Sequence, residues 1–310
     1  MSFIRVLVLS TLGFVIPIAI SLFLLVMRGR AAETPAAQLP ASVLAVAPVP
    51  ADINSTSDDS DDSDEVVESS TGFAVYSKDH SLGPADGETF VVSFLVRFDK
   101  LPGAGRKNNL VSKYDRHKAP YAGWAIALRR LSTSVRPAVY LRGADGSGGW
   151  FTFSDYQFRS GEWYQLAVVI RRLDSVSVFI QPMNVPRNQL LKNGWITIGE
   201  GLSVQGDVEF LGGHSIADVA IPESSLEMVL GADRATRENF QGEVAEFLVA
   251  SGAELPVDVI KLPAFLSGGP REIKQRIGSG NVLLWIADQG VDESSYARTV
   301  QQISPSTAAS

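Results

Sequence analysis

The chain has 310 residues, of which 45% are hydrophobic, which is enough for one large domain with appendages. It contains no cysteine, so disulfides and thiolate metal sites are excluded. The formal net charge is -7 and no basic stripe stands out along the sequence, so we expect no nucleic-acid partner.

The first 30 residues predict a transmembrane anchor. Residues 6–27 form 22 residues without a charge, which at about 1.5 Å each can span a hydrocarbon core of about 30 Å. A cleaved signal peptide is the alternative, but its apolar region is usually about 7 to 15 residues long. In addition, Arg28 and Arg30 stand where small residues would mark a cleavage site. We therefore expect a single-pass membrane protein that contacts the bilayer through residues 6–27, with its folded part on the extracytoplasmic side.

Residues 31–70 predict a disordered stalk. The segment begins Ala/Pro-rich, continues as a Ser/Asp repeat, and holds nine acids without any Lys or Arg. Such a composition repels itself and shows neither a helical nor a strand period. Calcium capture by the acidic run is the alternative to a solvated spacer.

Residues 71–310 are expected to form one domain, whose first predicted strand is 89–98. Phe90, Val92 and Phe94 lead a period-two series on one face of this strand, while Ser93 and Arg97 lie on the other. The same pattern predicts further strands at 108–113, 122–130, 137–142, 149–154, 163–171, 175–181, 195–198, 216–221, 226–230, 243–250 and 282–287. A dozen short strands with few helical windows predict an all-β fold, an antiparallel two-sheet jelly-roll sandwich.

Four stretches in order, "TFVVSFLVRF", "NNLVSKYDRHKAPYAGWAIALRR", "FRSGEWYQLAVVIRR" and "LEMVLGADRATRENFQGEVAEFLVA", carry a family resemblance. Together they resemble laminin-G-like jelly rolls of the concanavalin A-like lectin/glucanase superfamily. The resemblance implies that Gly161 turns the chain and that Trp163 and Tyr164 begin a central strand, one ring entering the sandwich and the other on the opposite face. It also implies that these aromatics build the core rather than touch a ligand.

The end of the chain departs from that family. Residues 280–302 look like the strand and Asp-x-Ser-Ser turn that usually open such a domain, so residues 281–288 are either a permuted first strand or an added terminal one. Between this stretch and the main run of strands, we expect one or two short helices interrupted by Pro263 and Pro270.

Catalysis finds little support in the sequence. Hydrolases of this superfamily show a Glu-x-Asp-x-Glu pattern that puts carboxylates on one strand face, and the pattern is missing here. Asp207 and Glu209 share a face but read as a solvated strand edge, whereas the odd spacing of Glu243 and Glu246 predicts opposite faces. We therefore expect a protein that is not an enzyme.

Binding residues are predicted on two loops, 114–124 and 142–150, where aromatic, guanidinium and carboxylate groups coincide near glycines. Sugars are recognised by such groups at the rim of a rigid scaffold. The predicted ligand-binding residues are Tyr114, Arg116, Tyr121, Arg142, Asp145 and Trp150. Loop carboxylates of relatives also bind calcium, and the candidate ligands here are Asp79, Asp115 and Asp145.

These patterns together predict a membrane-anchored binding module for a glycan or a glycosylated partner. A structural or adhesive module of an envelope or virion, which contacts proteins through a sheet face, is the alternative. A divergent glycoside hydrolase is the third interpretation.

The anchor makes a direct prediction for the full-length chain. It should stay in the membrane pellet after carbonate extraction, because 22 uncharged residues insert stably. A Val15→Arg/Ile18→Arg variant should be released, since each arginine near the bilayer centre costs about 2.5 to 3.5 kcal/mol. Release of the parent chain with an amino terminus beyond Arg30 would show that the segment is a signal peptide.

Overall fold

The computed structural model describes part of the chain, namely residues 72–76, 82–84, 88–114, 119–171, 174–187, 189–192, 195–231, 240–252, 255–256, 258–288 and 290–303. The predicted anchor at 1–30 and the predicted stalk at 31–70 lie outside these residues, so both remain predictions. None of the helices within the described ranges is long and apolar enough to cross a bilayer.

The described residues form sixteen strands. In chain order these are β1 (Gly72–Tyr76), β2 (Thr89–Lys100), β3 (Lys107–Tyr114), β4 (Gly123–Leu131), β5 (Ser134–Arg142), β6 (Gly148–Thr152), β7 (Trp163–Arg171), β8 (Ser175–Asn184), β9 (Leu190–Lys192), β10 (Trp195–Thr197), β11 (Ser203–Val204), β12 (Glu209–Ser215), β13 (Met228–Leu230), β14 (Gln241–Gly252), β15 (Val282–Ile286) and β16 (Thr299–Ile303).

Two antiparallel sheets contain nearly all of these strands. Sheet A has the order β16-β1-β13-β3-β4-β5-β6, and sheet B has the order β11-β8-β7-β2-β14-β15, with β12 also paired to β8. The strands β9 and β10 form a separate hairpin. The predicted antiparallel two-sheet sandwich is therefore confirmed.

The core lies between the two sheets and follows the alternation read from the sequence. Phe90, Phe94 and Phe98 of β2 are fully buried and belong to one cluster with Trp124 of β4 and Val139 of β5. Side chains one residue out of phase point to the opposite face, because successive strand residues alternate. The core face of β2 is thus the one that the sequence predicted.

Trp163 and Tyr164, at the start of β7, take opposite faces. Tyr164 belongs to the core between the sheets, whereas Trp163 packs in a separate cluster with Leu95 and Met183 on the outer face of sheet B. Both rings are almost completely buried. Both rings are part of the packed interior of the domain, as the sequence predicted.

Two short helices cover the outer face of sheet B. They are α1 (Leu262–Leu266) and α2 (Pro270–Ile277), followed by a 3-10 turn at Ser279–Asn281. Each helix carries a proline in its first turn, where the missing N–H costs nothing, so Pro263 and Pro270 begin helices instead of interrupting them. Leu266 and Ile273 pack in one buried cluster with Ala167 of β7.

The strand β15 forms the edge of sheet B beside β14, and its Trp285 is buried. The turn that follows is organised by Asp292, whose carboxylate accepts backbone N–H bonds from Trp285, Ser294 and Arg298 at 3.1, 2.9 and 2.8 Å. The chain then enters β16, which pairs with β1 in sheet A. Both interpretations of residues 281–288, as a permuted first strand and as an added terminal strand, therefore stay predictions.

Two sequence predictions are wrong. The strand expected at 216–221 is a loop whose Ile216, Val219 and Ile221 are buried in the core. The strand in this part of the chain is the Gly-rich β12, which ends just before the loop. Glu243 and Glu246 were expected on opposite faces, but both lie on the outer face of sheet B. A one-residue bulge in β14 between Ala245 and Leu248 shifts the phase of the strand.

Tyr164 gives the fold a predicted sensitivity to alkali. Burial raises the pKa of its phenol to about 12, from an ordinary value of about 10. The phenol of Tyr164 contributes to the free energy of unfolding fully below about pH 10. This contribution is lost as the pH rises toward 12, because the fold disfavours the phenolate. In Tyr164→Phe, urea unfolding should show a smaller loss of stability between pH 10 and 12 than in the parent. Tyr296→Phe, at an exposed tyrosine, should leave the alkaline loss as it is, and an equal response of both variants would contradict this prediction.

Candidate functional site

The candidate site is the outward surface of β3, β4, β5 and β6, which we call the sheet A face. Trp124, Ile126 and Leu128 of β4 point into the core, so the alternate residues of this strand point outward. Register carries the alternation to the neighbouring strands, because Ala125 pairs with Tyr140 and Tyr140 pairs with Trp150. The outward residues of the four strands thus form one surface.

Three aromatic rings run across the sheet A face, and we call Tyr114, Tyr140 and Trp150 the aromatic strip. The centroids of Tyr114 and Tyr140 are 5.0 Å apart, and those of Tyr140 and Trp150 are 5.2 Å apart. Both tyrosines are only 7% exposed, whereas Trp150 is half-buried. Each such pair contributes about 0.5 to 1.5 kcal/mol beyond the burial of its area. The tyrosines therefore hold a tryptophan that stays accessible.

Two cations reach the Trp150 ring from distant strands. Lys107 Nζ lies 4.5 Å from the ring centroid and Arg129 Cζ lies 5.8 Å from it. Lys107 is on β3 and Trp150 on β6, about 14 Å apart at 4.7 to 4.9 Å per strand. The side chains meet because the outward residues between them are small, namely Ala127 and Ala138.

The loop that precedes β4 is held to this face by two hydrogen bonds. The Tyr140 hydroxyl donates to the Tyr121 carbonyl oxygen at 3.0 Å, and Arg142 Nε donates to the Pro120 carbonyl oxygen at 2.7 Å. Burial raises the pKa of Tyr140, so the phenol stays a donor. The Tyr121 side chain itself is 43% exposed. An exposed tyrosine therefore stands beside the aromatic strip.

Asp145 is engaged within its own turn. Its Oδ1 accepts the Ser147 hydroxyl at 2.6 Å and the Ser147 backbone N–H at 2.9 Å. These bonds hold the pKa of the carboxyl below its usual range, with the hydroxyl as the larger cause. The carboxylate shapes the β5–β6 connection, and no group of three or more metal-ligating side chains occurs among the described residues.

The structure unites most of the predicted binding residues. Tyr114 and Trp150 join through Tyr140, while Tyr121 and Arg142 meet at the adjoining loop. Arg116, Asp115 and Asp79 lie outside the described residues, so their roles in ligand or calcium binding remain predictions.

Sequence reasoning missed Tyr140, Lys107 and Arg129. Tyr140 stands two residues before the predicted Arg142, so period-two alternation would have placed both on one face. The basic residues carried no signal because they are far apart in sequence. Register places Lys107 opposite Arg129 and Arg129 opposite Arg136, so these residues meet only in the folded sheet, and the expectation of no nucleic-acid partner stays a prediction.

A second concave region lies where the segment before β7 meets the start of β12. It encloses about 470 Å³, and its acids are Asp155, Glu162 and Glu209. The Tyr164 hydroxyl donates to Glu162 Oε2 at 3.0 Å and accepts the Arg159 backbone N–H at 2.9 Å. Burial raises the pKa of the neighbouring Tyr156, and both glutamates raise it further. This cleft therefore brings together carboxylates of the kind that a hydrolase needs.

No protein-family model matches the chain, and no curated protein matches it. Among solved structures, the enzymatically active domain of tailspike protein 2 from bacteriophage CBA120 is 12% identical, with a TM-score of 0.44 over 69% of this chain and 28% of that one. The receptor-binding domain of botulinum neurotoxin mosaic serotype C/D is 15% identical, with a TM-score of 0.34 over 52% of this chain and 32% of that one. Sheep galectin-11 is 12% identical, with a TM-score of 0.25 over 53% and 89%.

This chain thus spans less than two thirds of the first two of those proteins. At such TM-scores the likenesses establish neither a family, a ligand nor an activity. The laminin-G-like resemblance remains a prediction.

The entry of β6 into the sheet depends on Gly148, which gives a stability prediction. A Cβ there would lie 2.3 Å from the Leu141 carbonyl oxygen, and the φ of +81° is left-handed. Gly148→Ala should lower the free energy of unfolding by about 2 to 4 kcal/mol, from strain and overpacking together. Gly280→Ala is the control, because its new methyl would meet no atom within 4 Å. Urea midpoints measure both, and a Gly148→Ala variant as stable as the control would contradict the described backbone.

Proposed function

We propose that this protein is a membrane-anchored, non-catalytic β-sandwich that binds a glycan or a glycosylated partner through the sheet A face. The observation that carries the proposal is the half-exposed Trp150, supported by Tyr140 and Tyr114 on an open strand surface. Residues 6–27 supply the anchor.

An indole ring held in this way suits the apolar side of a sugar ring. Sugar sites combine such a platform with a few fixed polar groups for the hydroxyls. Here Arg142 is oriented by the Pro120 carbonyl and the Ser147 hydroxyl is oriented by Asp145. Tyr121 can cover a second sugar unit from the adjoining loop, since its side chain is exposed.

The make-up of the four strands supports binding rather than hydrolysis at this face. Glycoside hydrolases place two carboxylates about the scissile bond. The strands β3 to β6 contain no Asp or Glu. On the outer face of sheet B, Glu243 pairs with Arg97 and Glu246 pairs with Arg271, each at 2.9 Å.

A glycan hydrolase is the second candidate, and the acidic cleft favours it. Glu162 and Glu209 line one open volume, as a general acid and its partner carboxylate would. Release of reducing sugar that is lost in both Glu162→Gln and Glu209→Gln would favour this candidate over a binding module.

A glycan array with the full-length chain in detergent tests the proposal. Trp150→Ala and Tyr121→Ala should each weaken binding about tenfold or more, because each removes an aromatic stacking surface worth about 1 to 2 kcal/mol. Tyr296→Ala removes an equally exposed tyrosine outside this face and should bind like the parent.

Thermal melting must show that the variants are folded, and Tyr121→Ala should stay within about 1 kcal/mol of the parent, as exposed loop changes usually do. The array is run with calcium and with a chelator, and loss of binding in the chelator would support the predicted metal site. Parent-like binding by both Trp150→Ala and Tyr121→Ala would place the site elsewhere and overturn the proposal.

A further inference from the structure

A row of three cations crosses the sheet A face. Lys107 on β3 is the direct cross-strand partner of Arg129 on β4, and Arg129 is the direct partner of Arg136 on β5. All three side chains are half-buried. Their positions are directly opposite one another on adjacent strands, so three cationic side chains start from neighbouring points of the sheet.

The four strands of the sheet A face are rich in basic residues. Together β3, β4, β5 and β6 carry six basic residues and no acidic one. Four of them point outward, namely Lys107, Arg129, Arg136 and Arg142, whereas Lys113 and Arg130 are in register with the core residues Trp124 and Val135. The whole chain has a formal net charge of -7, so these four strands concentrate positive charge in an otherwise acidic protein.

Two of the guanidinium groups lack an acidic partner within the described part of the chain. Arg136 Nε donates to the Ser134 hydroxyl at 3.2 Å, and Arg129 lies against Trp150. By contrast, Arg97 and Arg271 of sheet B and its covering helix each pair with a buried or half-buried glutamate. Like charges placed opposite one another destabilise a sheet, so folding alone does not explain the row.

We propose that the glycan bound at the sheet A face is acidic, and that Lys107, Arg129 and Arg136 receive its carboxylate or sulfate groups. This rests on the proposed function and names the class of sugar. A guanidinium presents a planar pair of donors that matches an oxyanion, and two arginines occupy directly paired positions here. An anion there would also reduce the repulsion between Arg129 and Arg136, which are direct cross-strand partners.

The position of Trp150 makes the ligand an acidic sugar rather than another anion. Its ring lies 4.5 Å from Lys107 Nζ and 5.8 Å from Arg129 Cζ, so one ligand can stack on the indole while its acid meets the cations. Adjacent strands are about 4.8 Å apart, so the row from β3 to β5 spans about 10 Å. Two neighbouring acidic units of a polysaccharide fit that length.

The test compares four probes on the full-length chain in detergent. They are polygalacturonate oligomers as the carboxylate probe, sulfated dextran as the sulfate probe, neutral dextran, and single-stranded DNA. Both acidic glycans should bind at least about tenfold more tightly than neutral dextran, which corresponds to about 1.4 kcal/mol. The difference should shrink as salt rises, because mobile ions screen exposed charges over about 8 Å at physiological ionic strength.

Arg129→Gln/Arg136→Gln should weaken binding of the acidic probes about tenfold and change neutral dextran binding by less than about twofold. Arg129→Lys/Arg136→Lys keeps both charges and should recover most of the affinity. Lys100→Gln/Lys261→Gln removes two exposed cations elsewhere and should bind like the parent. Melting temperatures no lower than that of the parent show that the variants are folded.

The outcomes separate this inference from the proposed function. If neutral and acidic glycans bind equally and Trp150→Ala abolishes both, the protein binds glycan but the acidic class is wrong. If no glycan binds, the proposed function fails as well. If DNA binds as tightly as the acidic glycans and Trp150→Ala leaves that binding intact, the row is a general polyanion surface and the inference is overturned.

Discussion

The register between β4 and β5 determines both the core and the exposed face of sheet A. Leu131 pairs with Ser134 across a tight turn in which Ser132 adopts a φ of 56°, in the left-handed region. Because strand side chains alternate strictly, a slip of one residue would turn Ile126 outward and send Arg129 into the core. The large difference between these two environments makes any other register very costly. The aromatic strip and the row of cations therefore share one cause, the two-residue hairpin.

Much of the fold could be read from the sequence because its strands have clear apolar patterns. The strand β7 has the predicted bounds of 163–171, since a continuous apolar run there lies between a glycine turn and charged residues. Binding stays a prediction, but the two segments that carry the aromatic and charged residues, 114–124 and 142–150, were identified from the sequence. Their meeting through Tyr140 was not, because it depends on which strands pair. The sequence "LRRLSTSVRP" shows in retrospect that Arg129 and Arg136 are equidistant from the hairpin.

The bulge in β14 shows where a periodic pattern stops being a guide. One extra residue between Ala245 and Leu248 reverses the phase, and Glu246 takes a φ of 45° there. A left-handed conformation costs a non-glycine residue about 1 to 3 kcal/mol. Burial also raises the pKa of Glu246, which only the ion pair with Arg271 opposes strongly. Nothing in "EVAEF" signals the bulge, which is visible only in the pairing of β14 with β2.

The pairing of β1 on both of its sides has a mechanical consequence. The strand is hydrogen-bonded to β13 along one edge and to β16 along the other. A tension applied through the chain before Gly72, and resisted at the sheet A face, would load both ladders in shear along the strand direction. Shear strains many hydrogen bonds at once, whereas peeling an edge strand breaks them one after another. By enclosing β1 between two ladders, β16 makes this end of the described domain resistant to a pulling force.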